Sequence, residues 1–253
     1  MAEDTQRYSS YRDQFLYSGE RIYELIYERN KQHIRTKRRA VALVNLRRIF
    51  EHTFTISKRD GFREMSLRQL SHESGISIGG IYACIESKQA LAQMACDCVT
   101  FIGVQHMQMT VVPRRQPVSL QTFVRRSVYL AEAIYEWLRF LFVDVRSLDD
   151  VNARQLSCLS DLFVSGVGRL QMLESDRSGD DAGAAYARQL EARLALLLVG
   201  DWVQQRDDIL YRGISIEDYA DYAVQTLVGA SRRKQTSDMK PAAVEALSGV
   251  DVL

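Results

Sequence analysis

Proline is scarce in this sequence, and no stretch of it stays apolar for long. Three prolines and 14 glycines occur among 253 residues, a composition that favours long uninterrupted helices. No apolar run approaches the roughly 20 residues that a membrane-spanning helix needs. The N-terminal stretch MAEDTQRYSS is polar and acidic, which does not resemble a secretory signal, so a cytoplasmic protein is expected.

Cysteine and histidine are also few, with four of each. Cys96 and Cys98 are one residue apart, which suits neither a zinc site nor a redox pair, and Cys84 and Cys158 stand elsewhere. The histidines have no partners at metal-ligand spacing. Reduced, buried thiols and no cofactor are therefore expected. The chain also lacks a nucleophile-elbow motif, which argues against an enzyme.

The charge is unevenly distributed along the chain. The net charge is only +1. Residues 35–92 carry eleven Lys or Arg against five Asp or Glu, whereas residues 93–253 carry seventeen against twenty-one. A basic front and a mildly acidic rear predict that the front meets a polyanion.

The first sixty residues predict two helices separated by a basic cluster. Phe15, Ile22 and Ile26 lie roughly one helical face apart, which predicts a short N-terminal helix. The cluster RTKRR, residues 35–39, follows and is either a solvated linker or an arm that contacts phosphates. From Leu43 onward the apolar spacing i, i+3, i+4, i+8 predicts a buried helical face made of Leu46, Ile49, Phe50 and Phe54.

Capping residues predict three further helices in close succession. Gly61 suits a left-handed helix end. Ser66 and Gln69 form a capping-box pattern, in which the glutamine reaches back to the cap. Gly75 ends that short helix, and Ser77 can cap the next one, IGGIYACI. A longer helix is predicted from Lys88, with an apolar stripe of Leu91, Met94, Ala95, Cys98 and Ile102.

The rest of the chain predicts a bundle of long helices and no strand. Helical periodicity covers residues 119–146, 148–174, 184–212 and 215–231. The tail from Arg232 is polar and is predicted to be disordered. The sequence therefore predicts an all-α protein with an N-terminal extension (1–39), a helix-turn-helix domain (40–95), a helical ligand-binding and dimerisation domain (96–231) and a tail (232–253).

The glycine-rich stretch GISIGGIYACIESKQAL, residues 75–91, fits a helix-turn-helix better than a phosphate loop. A phosphate loop needs glycines at fixed positions after a strand, and here no strand precedes them. A helix-turn-helix needs a tight turn between two short helices, of which the second enters the major groove. Gly75 supplies the turn and Ile76 the apolar plug beneath it.

The run from Leu46 to Leu91 resembles the tetracycline-repressor (TetR-type) family of bacterial transcription regulators. The residues that carry the resemblance are Gly61, Phe62, Ser66, Leu70, Gly75, Ile76, Ser77, Gly79, Ile81, Tyr82, Lys88 and Leu91. The resemblance implies phosphate contacts from Ser66, Ser77, Tyr82 and Lys88, and base-edge contacts from Ile78, Gly79 and Gly80. It also implies that Arg68 points at the duplex and that Arg47 and Arg48 reach flanking phosphates. For Tyr82 a role as a core aromatic is the alternative. Ser66 and Ser77 cap their helices whether or not DNA is bound, and Lys88 without the motif would be an ordinary surface lysine.

The chain departs from the family pattern in its recognition helix. Ala83, Cys84 and Ile85 replace the usual aromatic or histidine residues and the closing phenylalanine, and Ile78 replaces a polar residue. Hydrogen-bonded readout of bases is therefore thin, and contact with thymine methyl groups is expected instead. We expect basic residues beside the helix to carry more of the affinity, above all Arg35, Lys37, Arg38 and Arg39.

The resemblance implies that the rear helices bind a small molecule and form a homodimer. An apolar or amphipathic ligand is expected, in a pocket lined by Phe123, Tyr129, Ile134, Tyr135, Trp137, Phe140 and Phe142, although plain core is the alternative for each. The dimer interface is expected at Leu190, Leu194, Leu197, Leu198, Tyr219, Tyr222, Ala223 and Leu227, with intrachain core as the alternative. The sequence therefore predicts a repressor that binds a palindromic operator as a dimer and leaves the DNA when the ligand binds. A helical interaction protein with degenerate or nonspecific DNA binding is the alternative.

Overall fold

The computed structural model describes residues 7–111, 118–145, 150–174 and 182–238, and every regular element in these ranges is helical. The all-α prediction is confirmed. The helices are α1 (Tyr8–Gln14), α2 (Arg21–Asn30), α3 (Arg39–Asp60), α4 (Leu67–Ser74), α5 (Ile78–Cys84), α6 (Lys88–Val111), α7 (Leu120–Ala133), α8 (Tyr135–Arg139), the π-helix π1 (Phe140–Val145), α9 (Asp150–Glu174), α10 (Ala182–Tyr211) and α11 (Ile216–Asp238).

Helices α3, α4 and α5 pack on one another and form a unit that we call the head. The stripe predicted on α3 is buried, with Leu46, Ile49 and Phe50 fully enclosed. Leu70 from α4 and Ile81 from α5 meet this stripe and are also fully enclosed. Burial of side chains of this size provides about 1.5–3 kcal/mol each, so a few contacts hold two very short helices in place.

The predicted caps of the head are present, with two differences in detail. The hydroxyls of Ser66 and Ser77 accept hydrogen bonds from the backbone N–H groups of Gln69 (3.1 Å) and Gly80 (3.2 Å). Gly75 ends α4 at φ 65°, a conformation that favours glycine. Gly61 also has a positive φ, but its ψ of 139° is not left-handed helical. The Gln69 side chain does not reach back and instead donates to Asp60 and Glu73.

The N-terminal extension contains two helices rather than the single one predicted. The chain turns between Phe15 and Glu20, where Gly19 has a φ of 60°, and this turn separates α1 from α2. Ile22 and Ile26 on α2 are buried as expected. Helix α2 packs on both α3 and α6, and α1 packs on α7. The extension therefore lies along the body of the protein.

Helices α6 to α11 with π1 form a second unit, the rear bundle. Its main contacts join α6 to α9, α9 to α10, and α7 to α10 and α11. The single helix predicted over 119–146 is wrong, because the backbone of Ile134 leaves the helical region (φ −120°, ψ 31°) and π1 follows α8. Neither proline nor glycine marks this break in the sequence, so the packing of the surrounding helices determines it.

Two further expectations are corrected at the surface. Helix α11 continues to Asp238, so residues 232–238 are helical rather than disordered, and residues 239–253 lie outside the described ranges. Cys84, Cys96 and Cys98 are free and buried as expected, but Cys158 is exposed on α9. None of the helices in the described ranges combines the length and the hydropathy of a membrane-spanning segment.

Candidate nucleic-acid interface and ligand cavity

Helix α5 buries one side and exposes the other. Ile81 and Cys84 face the core of the head. Ile78 is 40% exposed, Tyr82 is 43% exposed, and Gly79 lies open beside them. We call these three exposed residues the reading face. The exposure of Tyr82 removes the alternative in which it is a core aromatic.

The absence of a side chain has a different consequence at each of the two glycines of α5. A side chain at Gly79 would meet nothing within 4 Å, so glycine there leaves the helix surface low and open. At Gly80 a Cβ atom would lie 2.8 Å from Cγ2 of Ile76, so this glycine allows α5 to pack closely on the turn. Gly79 thus remains a candidate for close approach to a duplex, whereas packing already accounts for Gly80.

Several of the predicted cations surround the head with their charges available. Lys37, Arg38, Arg48 and Arg68 are exposed, and none of them forms an ion pair with the described part of the chain. Arg63, in the loop before α4, is also exposed. The sequence analysis did not predict a role for it, because it is not one of the residues that carry the family resemblance, although it lies between two of them, Phe62 and Ser66.

Arg39 and Arg47 lie instead against acidic residues of α2, of its N-cap and of α3. The guanidinium of Arg47 contacts Glu20 at 2.7 Å and Glu51 at 2.9 Å. Arg39 lies 3.5 Å from Glu28 and over the ring of Tyr27. These partners offset both charges, so the phosphate contacts predicted for Arg39 and Arg47 have the weakest structural support in the set.

Lys88 is placed differently from its expected role. Its Nζ donates to the backbone carbonyls of Phe62 (3.1 Å), Arg63 (2.7 Å) and Met65 (3.0 Å). An ammonium group has three N–H donors, and these three bonds use all of them. Lys88 therefore ties the loop between α3 and α4 to the start of α6, and a phosphate contact would require those bonds to break.

A polar cluster at the end of α3, which the sequence did not reveal, holds α4 against it. Arg59 donates to Asp60 and Glu73 at 2.7 Å each, and Gln69 bridges the same two carboxylates. Hydrogen bonds from Arg59 lower the pKa of both Asp60 and Glu73. The cluster is solvent-exposed, so its main effect is orientation rather than stability.

The rear bundle encloses a cavity of about 540 Å³. Its wall comes from α6, α7, α8, π1, α9 and α10, which is a size and a position suited to a small molecule. Of the seven pocket residues predicted, Ile134 and Phe142 line it. Among the wall residues that the sequence did not indicate are His106, Ser127, Ser160, Leu138 and Gln204. Their helices converge only in the folded chain.

The cavity wall carries polar groups but no fixed charge among the described residues, since none of the lining side chains is Asp, Glu, Lys or Arg. Nε2 of His106 lies 3.0 Å from Oγ of Ser127, and that hydroxyl donates to the carbonyl of Phe123 at 2.9 Å. Burial, assisted by repulsion from Arg126, lowers the pKa of His106 to about 4. The imidazole is therefore neutral at physiological pH.

The other five predicted pocket residues are core, which was the alternative for each. Trp137 and Phe140 face the head. Tyr129 packs on Tyr8 and Tyr11 of α1. Tyr135 lies under the guanidinium of Arg206 at 4.4 Å. Phe123 is fully enclosed behind His106 and Phe163, so it supports the cavity wall without lining it.

Trp137 and Phe140 join an aromatic cluster between the rear bundle and the head. The Trp137 ring lies 4.7 Å from Phe50 and 5.0 Å from Phe54, and Phe140 lies 5.4 Å from Phe54 and 4.9 Å from Phe62. We call these five residues the aromatic junction. Because Phe142 faces the cavity two residues after Phe140, π1 contacts both the cavity and the head.

The predicted dimer residues divide into two groups. Leu198, Tyr219, Ala223 and Leu227 are buried within one chain, and the Tyr219 hydroxyl donates to the carbonyl of Leu198 and to Asp201. These four belong to the intrachain core, which was the alternative considered. Leu190, Leu197 and Tyr222 are 49%, 69% and 56% exposed, and Leu194 is half-buried. Leu197 also borders the cavity, so it has a place in the single chain as well. An exposed apolar surface on α10 and α11 therefore remains.

Within the described ranges, no group of three or more His, Cys, Asp or Glu side chains could hold a metal ion. No model of a known protein family matches the chain, and no curated protein matches it either.

Solved structures do match. The MbdR regulator from Azoarcus sp. CIB aligns with a TM-score of 0.56 at 13% identity, over 72% of this chain and 96% of that one. The superantigen PfiT aligns at 0.49 and 16% identity, over 72% and 95% of the two chains. FadR of Thermus thermophilus, a TetR-family transcriptional repressor in complex with lauroyl-CoA, aligns at 0.41 and 17% identity, over 72% and 93%. The match to MbdR establishes the fold.

Proposed function

Since the chain has a TetR-like fold, we propose that it is a transcription regulator that binds duplex DNA through the reading face of α5. The observation that carries the proposal is the juxtaposition of an open helix surface with unpaired cations. Ile78, Gly79 and Tyr82 are exposed on α5, and Lys37, Arg38, Arg48 and Arg68 surround the head without ion-pair partners in the described residues. Exposed cations of this kind neutralise phosphates, and a helix surface that is kept low by a glycine can approach base edges closely.

The reading face suggests how bases are distinguished. It offers the apolar side chain of Ile78 and the hydroxyl of Tyr82, and it has no side chain capable of a bidentate hydrogen bond. The major groove exposes the thymine methyl group, which an apolar side chain can contact. We therefore propose that Ile78 contacts thymine methyl groups and that the surrounding cations supply most of the affinity.

Two copies of the chain bind a palindromic operator in this proposal. A single short helix covers only one half-site, and protein symmetry sets the half-site spacing. The exposed Leu190, Leu197 and Tyr222 on α10 and α11 provide the apolar surface for the partner. An interface of this kind is expected to bury at least about 1,000 Å² in total.

The regulating ligand is proposed to be small, uncharged and largely apolar. The cavity of about 540 Å³ has no charged side chain among its described lining residues, and His106 is neutral. Moving an ionised group into such a site costs several kcal/mol without a partner charge. The Ser127 oxygen, whose own hydrogen goes to the carbonyl of Phe123, keeps a lone pair that can accept a hydrogen bond from a hydroxyl group of the ligand.

Ligand binding is proposed to change DNA affinity by shifting the population of two arrangements of the head. A ligand shifts such an equilibrium only by its difference in affinity for the two states. Helix π1 is the element suited to transmit the difference, because Phe142 lines the cavity and Phe140 belongs to the aromatic junction. We propose repression that the ligand relieves.

DNA binding is tested by selection from a randomised duplex library, followed by electrophoretic mobility shift of the selected sequence. We expect a palindromic, A·T-containing site bound at least about 1000-fold more tightly than a scrambled duplex. Binding to both duplexes alike would indicate a nonspecific DNA-binding protein. Absence of any binding would support the alternative of a helical interaction protein.

The cations are tested by a paired comparison. The variant Lys37→Ala/Arg38→Ala is expected to weaken binding of the selected duplex and to lower the salt slope of log K by about 0.9 for each lost phosphate contact. The control Arg12→Ala removes an exposed cation from α1, away from the head, and is expected to change neither quantity. An unchanged slope in the double variant would contradict the role given to these residues.

The ligand class is tested with 1-decanol and decanoate at pH 7.5, by thermal unfolding and by release of the selected duplex. We expect 1-decanol to raise Tm and release DNA, and decanoate to do so at concentrations at least about tenfold higher, since its charge lacks a partner. Gly200→Phe is the control for binding in the cavity, because Gly200 lines the cavity and a side chain there would meet open space. The added ring should occupy the cavity and weaken the effect of both probes. Equal effects of the two probes would contradict an uncharged ligand.

A further inference from the structure

The end of α5 lacks the local partners that usually satisfy a helix terminus. The last four carbonyls of an α-helix have no partner within the helix. In α5 the N–H of Ile85 donates to the carbonyl of Ile81. The next two carbonyls, those of Tyr82 and Ala83, accept no backbone hydrogen bond from the residues that directly follow the helix. With two glycines in seven residues, α5 also has little intrinsic stability. Contacts from elsewhere must therefore hold its end.

Those contacts come from the N-terminal extension, 47 residues earlier in the chain. The backbone N–H groups of Arg35 and Thr36 donate to the carbonyl of Ala83 at 2.8 and 3.2 Å. The guanidinium of Arg35 donates to the carbonyl of Tyr82 at 2.6 Å. The Thr36 hydroxyl lies 3.4 Å from the carbonyl oxygen of Ala83 and 3.5 Å from Sγ of Cys84.

The extension is itself held in position on both sides of this crossing. Ile34, just before it, is buried. Arg29 on α2 donates to Asp97 on α6 at 2.8 Å and lies over the ring of Phe101. After the crossing, Arg39 begins α3 and lies against Glu28 of α2. Residues 34–36 therefore bridge a fixed point on the rear bundle and the end of α5.

The same contact explains one departure of α5 from the family pattern. Cys84 is 1% exposed, and its sulfur touches Thr36. A large aromatic side chain at this position would occupy the space in which the extension crosses the helix. A small residue at 84 and an extension that closes the helix end are thus two parts of one arrangement.

We infer that Arg35 and Thr36 are positioning residues for the reading face and that the N-terminal extension is part of the DNA-reading apparatus. They close the C-terminal end of α5 and hold Tyr82 and Ile78 in the orientation that meets the duplex. This assigns Arg35 a role in ordering the helix rather than the phosphate contact expected from its charge. The inference rests on the proposed function only for what α5 contacts, since the closure itself is a property of the free protein.

The test compares Arg35→Ala/Thr36→Val with Lys37→Ala. Both remove one positive charge from the same segment, but Lys37 makes no contact with α5 among the described bonds. Amide hydrogen exchange in the DNA-free protein is expected to rise about tenfold over residues 78–85 in the double variant. It is expected to remain at the wild-type rate in Lys37→Ala and, in both variants, over α10.

Binding of the duplex selected by the wild-type protein gives the second readout. In Arg35→Ala/Thr36→Val we expect discrimination between selected and scrambled duplexes to fall about tenfold at an unchanged salt slope. In Lys37→Ala we expect the slope to fall and discrimination to persist. A merely structural role would leave discrimination intact in the folded fraction. If the wild-type protein selects no duplex, the proposed DNA binding is wrong and the exchange result alone decides the closure.

Unchanged exchange over residues 78–85 in the double variant would overturn the inference. So would a lowered salt slope with normal exchange, because Arg35 would then be a phosphate contact. If the double variant loses helicity throughout, Thr36→Val, which changes no charge, takes its place. A faster exchange confined to α5 in that variant supports the inference, and wild-type exchange overturns it.

Discussion

At the scale of single residues, polar groups in this protein serve folding and function in ways that their type does not reveal. Lys88 donates to the carbonyl oxygens of Phe62, Arg63 and Met65. Its charge therefore stabilises a loop and is not available to bind a ligand. His106 illustrates the reverse, since it is a titratable group held neutral beside a cavity. In both cases the immediate surroundings decide what the side chain does.

Lys88→Met keeps the aliphatic stem and removes the three donors. We expect the free energy of unfolding to fall by about 1–3 kcal/mol, since three carbonyls lose a charged donor. Urea unfolding followed by circular dichroism measures the change. Lys31→Met, at an exposed surface lysine whose ion pair with Glu28 is long and solvated, is the control and should be nearly neutral. Equal stability of Lys88→Met and wild type would contradict the structural role.

His106 predicts a pH dependence of stability. Its pKa is about 4 in the folded protein and about 6.5 in the unfolded chain. Between these pH values His106 is protonated in the unfolded chain and neutral in the folded protein. The free energy of unfolding therefore falls as the pH drops from about 7 to 4. The loss is at most about 3.4 kcal/mol. His106→Gln should remove this part of the dependence, as measured by unfolding from pH 7.5 to 4.5. Identical profiles for the variant and wild type would contradict it.

At the scale of elements, the segment from Ile134 through α8 and π1 directs its side chains to two different surfaces. Ile134, Leu138 and Phe142 line the cavity, and Trp137 and Phe140 enter the aromatic junction. The wider turn of a π-helix shifts side chains relative to an α-helix, and such insertions are frequent at functional sites. The irregular element thus joins the ligand cavity to the head within ten residues.

Phe140→Leu should weaken this connection. We expect the ratio of DNA affinities without and with 1-decanol to fall by about 2- to 30-fold, which corresponds to a coupling loss of about 0.5–2 kcal/mol. Mobility shift of the selected duplex at several decanol concentrations measures the ratio. Tyr129→Leu, another fully buried aromatic that contacts α1 and not the head, is the control. The same loss in both variants would argue against a specific role for the junction.

At the scale of the whole molecule, the aromatic junction, the N-terminal extension and polar contacts of Lys58 and Lys88 join the head to the rear bundle. Lys58 at the end of α3 pairs with Asp207 on α10 at 2.9 Å, and α2 packs on both units. In the described part of the chain, Leu190, Leu197 and Tyr222 on α10 and α11 are large exposed apolar side chains, although Leu197 also borders the cavity. We propose that a second copy of the chain covers this surface.

Leu190→Asp/Tyr222→Asp should therefore produce a monomer that binds DNA weakly. Charged groups in an apolar interface lack partners, so dimer affinity is expected to fall by at least about 100-fold. Sedimentation velocity measures the association state, and mobility shift measures the loss of operator binding. Leu16→Asp changes an equally exposed apolar residue in the N-terminal extension and should leave both unchanged. A double variant that remains dimeric would place the interface elsewhere.

Much of the secondary structure of the head could be predicted from the sequence, because it depends on residues close together in the chain. Apolar spacing along α3, the serine caps of α4 and α5, and the turn at Gly75 each depend on residues three to eight positions apart. Hydrogen bonds and contacts over such distances follow from helix geometry itself. The helical class and the position of the reading face were predictable for this reason.

Contacts between distant residues decided the rest. Arg35 meets Tyr82, Phe140 meets Phe62, and His106 meets Ser127 only because different segments of the chain pack together. Periodicity shows that a face is apolar, but it cannot show whether that face lines a cavity, enters the core or remains for a partner. Trp137 and Phe142 share one apolar stretch, yet packing sends one to the head and the other to the cavity. The sequence by itself determined the helices and the candidate DNA-reading element, and the tertiary structure alone determined which side chains hold, line or connect them.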